Sequence, residues 1–282
     1  MTKRQVLGSI LVTGLISLST LAIAHESCAI DLLEIPDHEA TLPAEEFHEW
    51  VDARWYGKQF LDRTEPEESM KKYVETMSTD EKNRTRLIFI GDSITAAWRY
   101  EENIDAFDRH FGQYNPQNFA IGADTTHGVL RRIEEGNLDG FNPEVVVILI
   151  GVNNIAWGPQ HTVVQTANGI LKVVQTVHHK LPDARILLMG LLPRGNDDFT
   201  GSFRWQKGIE VNTVLETNID NEQLFYLYIG DQLIEENGDV KDAVFLDGVH
   251  LSSAGLDVWA EYMKPKLEKL FDGESNGKPG HP

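Results

Sequence analysis

A serine, an aspartate and a histidine occupy positions from which they could act together on an ester. Ser93 comes two residues after the apolar run of residues 87–90, which ends in a glycine and predicts a buried strand. Far along the chain, Asp247 and His250 are three positions apart, a spacing that suits a turn through Gly248. A neutral imidazole accepts the proton of an attacking serine, and a carboxylate holds that imidazole in the required tautomer. These residue types predict nucleophilic acyl transfer.

The same chemistry needs hydrogen-bond donors for the negative oxygen of the tetrahedral intermediate. Three candidates follow predicted strands: the backbone N–H of Ser93, the backbone N–H of Gly122 and the side-chain amide of Asn153. Taken singly, Gly122 is typical of a strand end, Asn153 of a turn, and His250 of a surface position. Because the carboxyl ends of parallel strands meet at one edge of a sheet, we expect these segments to come together there.

Strand-like and helix-like segments alternate from residue 86 onward. Five short apolar runs predict strands, at residues 86–90, 118–121, 145–150, 186–189 and 224–227. Amphipathic segments predict helices at residues 126–135, 163–180 and 202–221. Ser252 predicts the N-cap of a last helix, which Pro265 is expected to kink. This alternation favours an α/β fold in which a parallel sheet is covered on both faces.

The first 24 residues have the features of a secretory signal peptide. Two basic residues precede the largely apolar residues 6–21, and Ala22 and Ala24 occupy the small positions of a cleavage site before His25. An uncleaved membrane anchor is the alternative, but the apolar stretch is short and contains serine and threonine. We therefore expect an exported protein, periplasmic or extracellular, with no stable membrane anchor after cleavage.

The remaining chain divides into three parts. Residues 25–82 are acidic, contain three prolines and show no strand-like run, and their aromatic residues predict an extension that packs on the main domain. Residues 83–272 predict the main domain itself. Residues 273–282 are glycine, proline and polar residues, which predict a disordered tail.

Composition narrows the range of partners and cofactors. The formal net charge of −19 over 282 residues disfavours nucleic acid as a partner. Cys28 is the only cysteine, so no internal disulfide forms. The histidines show no metal-ligand spacing and no glycine-rich phosphate loop occurs, so we expect neither a metal nor another cofactor.

Several segments resemble the sequence blocks of the SGNH hydrolases, also called the GDSL esterase/lipase superfamily. Residues 91–93 resemble block I, Gly122 block II, residues 151–154 block III and residues 247–250 block V. The resemblance is closer to the platelet-activating-factor acetylhydrolase catalytic-subunit-like branch. Three runs carry it: NFAIGADTT at residues 118–126, GNLD at 136–139 and GLLPRG at 190–195.

This resemblance covers roughly residues 84–271 and implies a flavodoxin-like, three-layer α/β/α fold with a five-stranded parallel sheet. It also implies ester hydrolysis without a metal. Two departures stand out: Asn154 ends block III where aspartate is common, and Ala123 replaces a glycine that is frequent in the acetylhydrolase-like branch. Asp92, beside the serine, is expected to be structural because a neighbour on an extended turn points away from it.

The residues adjoining the proposed catalytic groups predict the acyl pocket. Ile94, Val152 and Val249 are all β-branched and bulky, which favours a short acyl group such as acetyl. The alcohol side stays open between a glycan, a lipid and a small ester. Tryptophans near these loops fit either stacking on sugar rings or core packing: Trp98, Trp157 and Trp205.

Three functions remain open at this point. The first is a short-chain serine esterase, for example a carbohydrate O-acetylesterase. The second is a lysophospholipase or thioesterase that accepts longer acyl chains. The third is a non-catalytic carbohydrate-binding protein on the same scaffold. The oligomeric state is also open, with a homodimer among the alternatives.

Overall fold

A computed structural model describes residues 64–157, 162–195, 201–219 and 223–273. The predicted signal peptide, most of the extension and the predicted tail lie outside these residues. One parallel sheet runs through the described part in the order β2-β1-β3-β4-β5. Its strands are β1 (Leu87–Gly91), β2 (Pro116–Asn118), β3 (Val145–Leu149), β4 (Arg185–Met189) and β5 (Leu224–Leu227). This is the flavodoxin-like strand order, and the predicted α/β class is confirmed.

Helices connect the strands and cover the sheet on both faces. Their bounds are α1 (Thr64–Thr76), α2 (Thr79–Arg84), α3 (Ser93–Ala96), α4 (Ile104–Phe111), α5 (Thr126–Glu134), α6 (Val152–Trp157), α7 (Val163–Lys180), α8 (Gly201–Asn218) and α9 (Ser253–Phe271). The predicted bounds of α7 and the N-cap at Ser252 are confirmed, since the Ser252 side chain accepts from the backbone N–H of Gly255. Helix α9 continues past Pro265 as one element.

Side chains alternate between the two faces of the sheet and build two apolar clusters. On β1, Ile88 and Ile90 point into the cluster that includes α1, α5, α7 and α8. Leu87 and Phe89 point into the other cluster, which includes α4 and α9. All five residues of β1 are buried, as expected for a central strand of a covered parallel sheet.

The second strand begins and ends earlier than the predicted residues 118–121. It spans Pro116–Asn118. The Asn118 side chain bonds to the segments on either side of it: its Oδ1 accepts from the Ala120 N–H at 3.0 Å, and its Nδ2 donates to the Thr95 carbonyl at 2.8 Å. Residues 119–121 still lie beside β1, because Ile121 N–H donates to the Gly91 carbonyl at 3.1 Å.

Helix α1 belongs to the predicted extension and packs against the main body. Met70 and Val74 are 5% and 4% exposed, and both are part of the cluster that contains α5. Glu67 on the same helix forms an ion pair with Arg131 of α5. Tyr73 Oη donates to Gln117 Oε1 of β2 at 2.8 Å. Within the described ranges, no helix is long and apolar enough to cross a membrane.

This packing predicts that α1 contributes to the stability of the whole domain. Met70→Ala should lower the free energy of unfolding by about 2–5 kcal/mol, since the cavity left by a buried methionine is only partly refilled. Lys71→Ala, an exposed position on the same helix, is the matched control and should stay within about 0.5 kcal/mol of wild type. Urea unfolding measures both. Equal midpoints for the two variants would mean that α1 is not part of the cooperative unit.

Candidate active site

Ser93 lies at the start of α3, immediately after β1. The turn is tight because β1 runs very close to β3: a Cβ on Gly91 would lie 2.5 Å from the Leu149 carbonyl oxygen. Asp92 caps the short helix, with its Oδ1 accepting from the Ile94 N–H at 3.0 Å. Ser93 is partly exposed, and its N–H belongs to the first turn of a helix, where amide groups have no intrahelical acceptor.

His250 connects Ser93 to Asp247 through two hydrogen bonds. Its Nε2 is 2.9 Å from Ser93 Oγ, and its Nδ1 is 2.7 Å from Asp247 Oδ2. The other carboxylate oxygen of Asp247 accepts from the backbone N–H groups of Val249 and His250, at 3.0 and 2.8 Å. The structure therefore brings together the three residues that the sequence singled out.

The electrostatics of Asp247 determine the tautomer of the imidazole. Burial would raise the pKa of Asp247, but the hydrogen bonds from the His250 backbone, the His250 ring and Val249 outweigh it and lower the pKa below its ordinary value. An ionised carboxylate only accepts hydrogen bonds. The proton of a neutral His250 therefore resides on Nδ1, and the lone pair of Nε2 faces the Ser93 hydroxyl.

A contact between two glycines positions the loop that carries Asp247 and His250. Gly195, after β4, donates its N–H to the Gly248 carbonyl at 2.7 Å. A Cβ on Gly195 would lie 3.2 Å from Gly248 Cα, and Gly248 itself has φ of +76°. Neither position suits a side chain. At the base of the loop, Phe245 and Leu251 pair as an antiparallel bridge and are buried.

The side-chain amide of Asn153 is held next to the loop that follows β2. Its Nδ2 donates to the Asp124 carbonyl at 2.8 Å, which leaves the second amide hydrogen for another acceptor. Asp124 is itself anchored by a buried ion pair with Arg132, at 2.5 Å. Arg132 also donates to the Phe119 carbonyl at 3.0 Å. These contacts join the ends of β2 and β3 into one framework.

Gly122 lies in the same loop and faces open space. It is exposed, and a Cβ built on it would meet no atom within 4 Å. The next residue, Ala123, has φ of +63°, in the left-handed region that costs a residue with a Cβ about 1–2 kcal/mol. Ala123, which replaces a glycine that is frequent in the acetylhydrolase-like branch, therefore has a backbone conformation that glycine would adopt without strain.

The three predicted acyl-pocket residues differ in burial. Ile94 and Val152 are 3% and 6% exposed and belong to the apolar cluster of α4 and α9. Val249 is half-buried, next to His250. Of the tryptophans considered for sugar stacking, Trp98 is fully buried and packs on Phe111 and Trp259. The side chains of Trp157 and Trp205 lie outside what the structure describes.

Sequence reasoning missed the residues that hold the site together. Asp124 and Arg132 form the buried pair described above, and Asn154 exchanges two bonds with Thr126: its Oδ1 accepts from the backbone N–H at 3.1 Å and its Nδ2 donates to Oγ1 at 2.9 Å. An arginine between Leu130 and Ile133 of an amphipathic helix was an available signal, because a buried charge requires a partner. In the described part of the chain, no group of three His, Cys, Asp or Glu side chains is placed to hold a metal.

Comparisons with known proteins identify the family of this chain. A family model, the GDSL-like Lipase/Acylhydrolase family, matches residues 89–258, a span that includes all the candidate residues from Ser93 to His250. The chain belongs to this family. The human platelet-activating factor acetylhydrolase IB subunit alpha2 is 31% identical over 188 residues, which are 66% of this chain and 76% of that protein.

Two further similarities support the assignment. The Drosophila melanogaster platelet-activating factor acetylhydrolase IB subunit beta homolog is 32% identical over 186 residues, 66% of this chain and 76% of that one. A GDSL-like lipase from Bacteroides thetaiotaomicron shares the fold with a TM-score of 0.60 at 20% identity, over 72% of this chain and 97% of that structure. The resemblance noted in the sequence is thus confirmed, and the protein is a GDSL-like acylhydrolase.

In this acylhydrolase Asp92, although adjacent to Ser93, takes no part in the hydrogen bonds to His250. It is fully buried, and its Oδ2 has no hydrogen-bond partner. Burial raises the pKa of Asp92 to about 7; the bond from Ile94 and the charge of Arg194 oppose this, and the charge of Asp124 adds to it. Ionisation of the Asp92 carboxyl group therefore lowers the stability of the folded protein.

A pH-dependent effect on stability follows for Asp92→Asn. The folded pKa of about 7 lies above the ordinary value of 3.8, so the folded protein binds more protons between these values and loses stability as pH rises through that window. Asparagine does not titrate. From pH 5 to pH 8 its unfolding free energy should therefore gain on wild type by about 2.5 kcal/mol at most, because about two pH units of the window lie above pH 5.

Urea unfolding of both proteins at the two pH values measures this difference. Asp105→Asn, which changes an exposed carboxylate on α4, is the control and should track wild type at both. If the unfolding free energies of Asp92→Asn and wild type differed by the same amount at both pH values, Asp92 would not be the buried titrating group.

Proposed function

We propose that this protein is an exported serine esterase that hydrolyses short-chain esters, acetyl esters above all, through an acyl-enzyme. The observation that carries the proposal is the unbroken hydrogen-bond path from Ser93 Oγ through the His250 ring to the Asp247 carboxylate. Export rests on the signal-peptide features of residues 1–24. The alcohol part of the ester is a small molecule or a glycan.

In the first half of the reaction Ser93 attacks the ester. As Oγ bonds to the carbonyl carbon, its proton moves to His250 Nε2, and the carboxylate of Asp247 stabilises the resulting imidazolium. The carbonyl oxygen becomes an oxyanion, and the N–H groups of Ser93 and Gly122 with the Asn153 amide are the donors available to it. The bond to the alcohol oxygen then breaks, and that oxygen takes the proton from His250.

In the second half water takes the place of the alcohol. His250, neutral again, removes a proton from water as the water oxygen attacks the acyl carbon of the ester on Ser93. A second oxyanion forms at the same donors and collapses, returning the proton to Ser93 Oγ and releasing the acid. No metal enters either half.

Two arguments favour a short acyl group. Relatives 31–32% identical to this chain are named acetylhydrolases. In addition, Ile94 and Val152 are buried within a packed cluster, so little room for a long chain exists beneath Ser93 without repacking the core. Val249 alone of the three has a half-exposed position from which it contacts an acyl group.

One observation favours the alternative, an enzyme for longer acyl chains. Leu246, immediately before Asp247, is 73% exposed. A long chain that leaves the site across the surface would cover this side chain and gain the hydrophobic contribution of its burial. A lysophospholipase or thioesterase is therefore the second candidate.

A set of four variants tests the proposed division of labour. Ser93→Ala and His250→Ala should abolish turnover of 4-nitrophenyl acetate, because they remove the nucleophile and the base. Asp247→Asn should be severe as well, through loss of control over the tautomer. Asn153→Ala should lower kcat by about 10²–10³, as expected for one oxyanion donor, with a smaller change in KM.

Asn154→Ala is the matched control for Asn153→Ala. It removes a neighbouring buried amide that bonds to Thr126, so it should affect stability more than kcat. If a folded Asn154→Ala lost as much kcat as Asn153→Ala, the oxyanion assignment would be wrong. Retention of turnover by folded Ser93→Ala would overturn the proposed mechanism altogether.

A series of 4-nitrophenyl esters from C2 to C12 tests the acyl preference. Wild type should prefer acetyl over butyryl over octanoyl, and Val249→Ala should shift the preference toward longer chains, with exposed Val164→Ala on α7 as the control. A wild-type preference for C8 or longer esters that Leu246→Ser removes would instead support the second candidate. Absence of turnover for every ester would support a non-catalytic protein.

A further inference from the structure

A cavity of about 260 Å³ opens beside the loop after β2 that carries Gly122, between the main domain and α1. Helix α1 contributes one wall, through Pro66, Ser69, Met70 and Tyr73. The opposite wall consists of Arg99, Ile121 and Gly122. The family match begins at residue 89, so the wall from α1 lies outside the family domain.

The cavity is on the alcohol side of the proposed ester. Gly122 lines it and is also one of the proposed oxyanion donors, so an ester carbonyl bound at the Gly122 N–H lies at the mouth of the cavity. Met70 and Ile121 belong to the apolar cluster on one face of the sheet, whereas the acyl-pocket residues Ile94 and Val152 belong to the cluster on the other face. We therefore assign the cavity to the alcohol part of the ester, because none of the three proposed acyl-pocket residues lines it.

Among the described residues that line the cavity, Arg99 is the one with a charged side chain. Its Nη2 donates to the Ala120 carbonyl at 2.5 Å, which fixes the guanidinium two residues before Gly122. An arginine has five N–H donors, and this bond uses one of them. Desolvation and then the charge of Arg132 lower the pKa of Arg99, opposed by Tyr100 and Tyr73, yet a guanidinium stays protonated at any working pH.

No carboxylate of the described residues neutralises Arg99. No ion pair joins Arg99 to a described carboxylate, and Glu67 on α1, beside Pro66 of the cavity wall, is engaged by Arg131. Elsewhere in the described part, the arginines at positions 84, 86, 109, 131 and 132 each have an acidic partner. In a protein of net charge −19, an arginine that pairs with no carboxylate of the described residues and lies beside a proposed active site is well placed to receive an anion from the substrate.

We propose that Arg99 and the α1 wall form a subsite for an anionic group, carboxylate or phosphate, on the alcohol part of the ester. The planar guanidinium offers paired donors to such a group. Tyr73 and Met70 provide an apolar side for the atoms that link the anion to the ester oxygen. The subsite rests on the proposed function, because it selects among the esters that Ser93 would hydrolyse.

Three matched aryl acetates test the subsite: 4-acetoxybenzoate, its neutral methyl ester, and 4-acetoxyphenyl phosphate. The measured quantity is the ratio of kcat/KM for each anionic ester to that for the neutral one. Taking the ratio within each variant cancels effects common to all three esters, and comparing ratios between variants cancels the intrinsic reactivity of the esters. Arg99→Gln should lower at least one ratio about 10- to 100-fold, the range of a hydrogen bond to a charged group. Which of the two ratios falls identifies carboxylate or phosphate as the preferred anion.

Arg109→Gln is the matched control, because it removes the same charge from an exposed arginine that pairs with Asp257 on the surface. Its ratios should equal those of wild type. Ser69→Glu provides a second test that leaves Arg99 and its bond to Ala120 in place, and the added carboxylate on the cavity wall should lower the same ratio by repulsion. Ratios that stay at the wild-type value in folded Arg99→Gln or folded Ser69→Glu would overturn the subsite.

Binding to Ser93→Ala separates this inference from the proposed function. Calorimetric titration of that variant with 4-acetoxybenzoate or 4-acetoxyphenyl phosphate should show affinity that disappears in Ser93→Ala/Arg99→Gln. Arg99-dependent binding with no turnover in wild type would uphold the anion subsite and refute the esterase. Turnover of all three esters with no Arg99 dependence in rate or binding would uphold the esterase and refute the subsite.

Discussion

The hydrogen bond between His250 Nε2 and Ser93 Oγ joins two loops that are 157 positions apart in the chain. A bond of this length tolerates little displacement of either partner, since hydrogen bonds weaken steeply as distance and angle depart from their optimum. Much of the structure serves to hold Ser93 and His250 in these positions. The close approach of β1 to β3 sets the serine, and the Gly195–Gly248 backbone contact sets the loop of the histidine.

The oxyanion side depends on a different kind of constraint, a buried charge. Asp124 and Arg132 are 0% and 4% exposed, and removing one partner of such a pair costs more than the pair itself contributes, because the other charge stays buried. The pair therefore locks the loop after β2 to α5. Through the Asp124 carbonyl the same loop holds Asn153, so one ion pair orders two of the three proposed donors.

Ala123 shows how firmly that loop is held. A left-handed backbone at a residue with a Cβ persists only where the surroundings over-determine it. Here Ala123 lies between Gly122, whose environment is open, and Asp124, which is anchored by Arg132. The ion pair between Arg132 and Asp124 thus helps to hold Ala123 in a left-handed conformation that a glycine would adopt without strain.

Periodicity and strand ends predicted the sheet, the helices α5, α7 and α9, and the meeting of Ser93, Asp247 and His250, because apolar runs and parallel topology determine these features almost alone. The bounds of β2 were wrong, since the strand begins with Pro116 and Gln117, which form no apolar run. The Asp124–Arg132 pair and the cavity beside Gly122 were also out of reach. Both arise from residues on separate elements, and only the packing of α5 and α1 shows which of their side chains meet.

The charges of this protein act at long range through the net charge and at short range through single side chains. Only the short-range contacts can select a substrate. The net charge of −19 repels anions from afar, but the Debye length of about 8 Å at physiological ionic strength screens most of that repulsion before a ligand arrives. Within the proposed subsite, Arg99 would lie closer to a bound anion than any screening ion. An acidic surface and the proposed cationic subsite are therefore compatible: the surface charge is screened at long range, and Arg99 would decide which esters remain long enough to react.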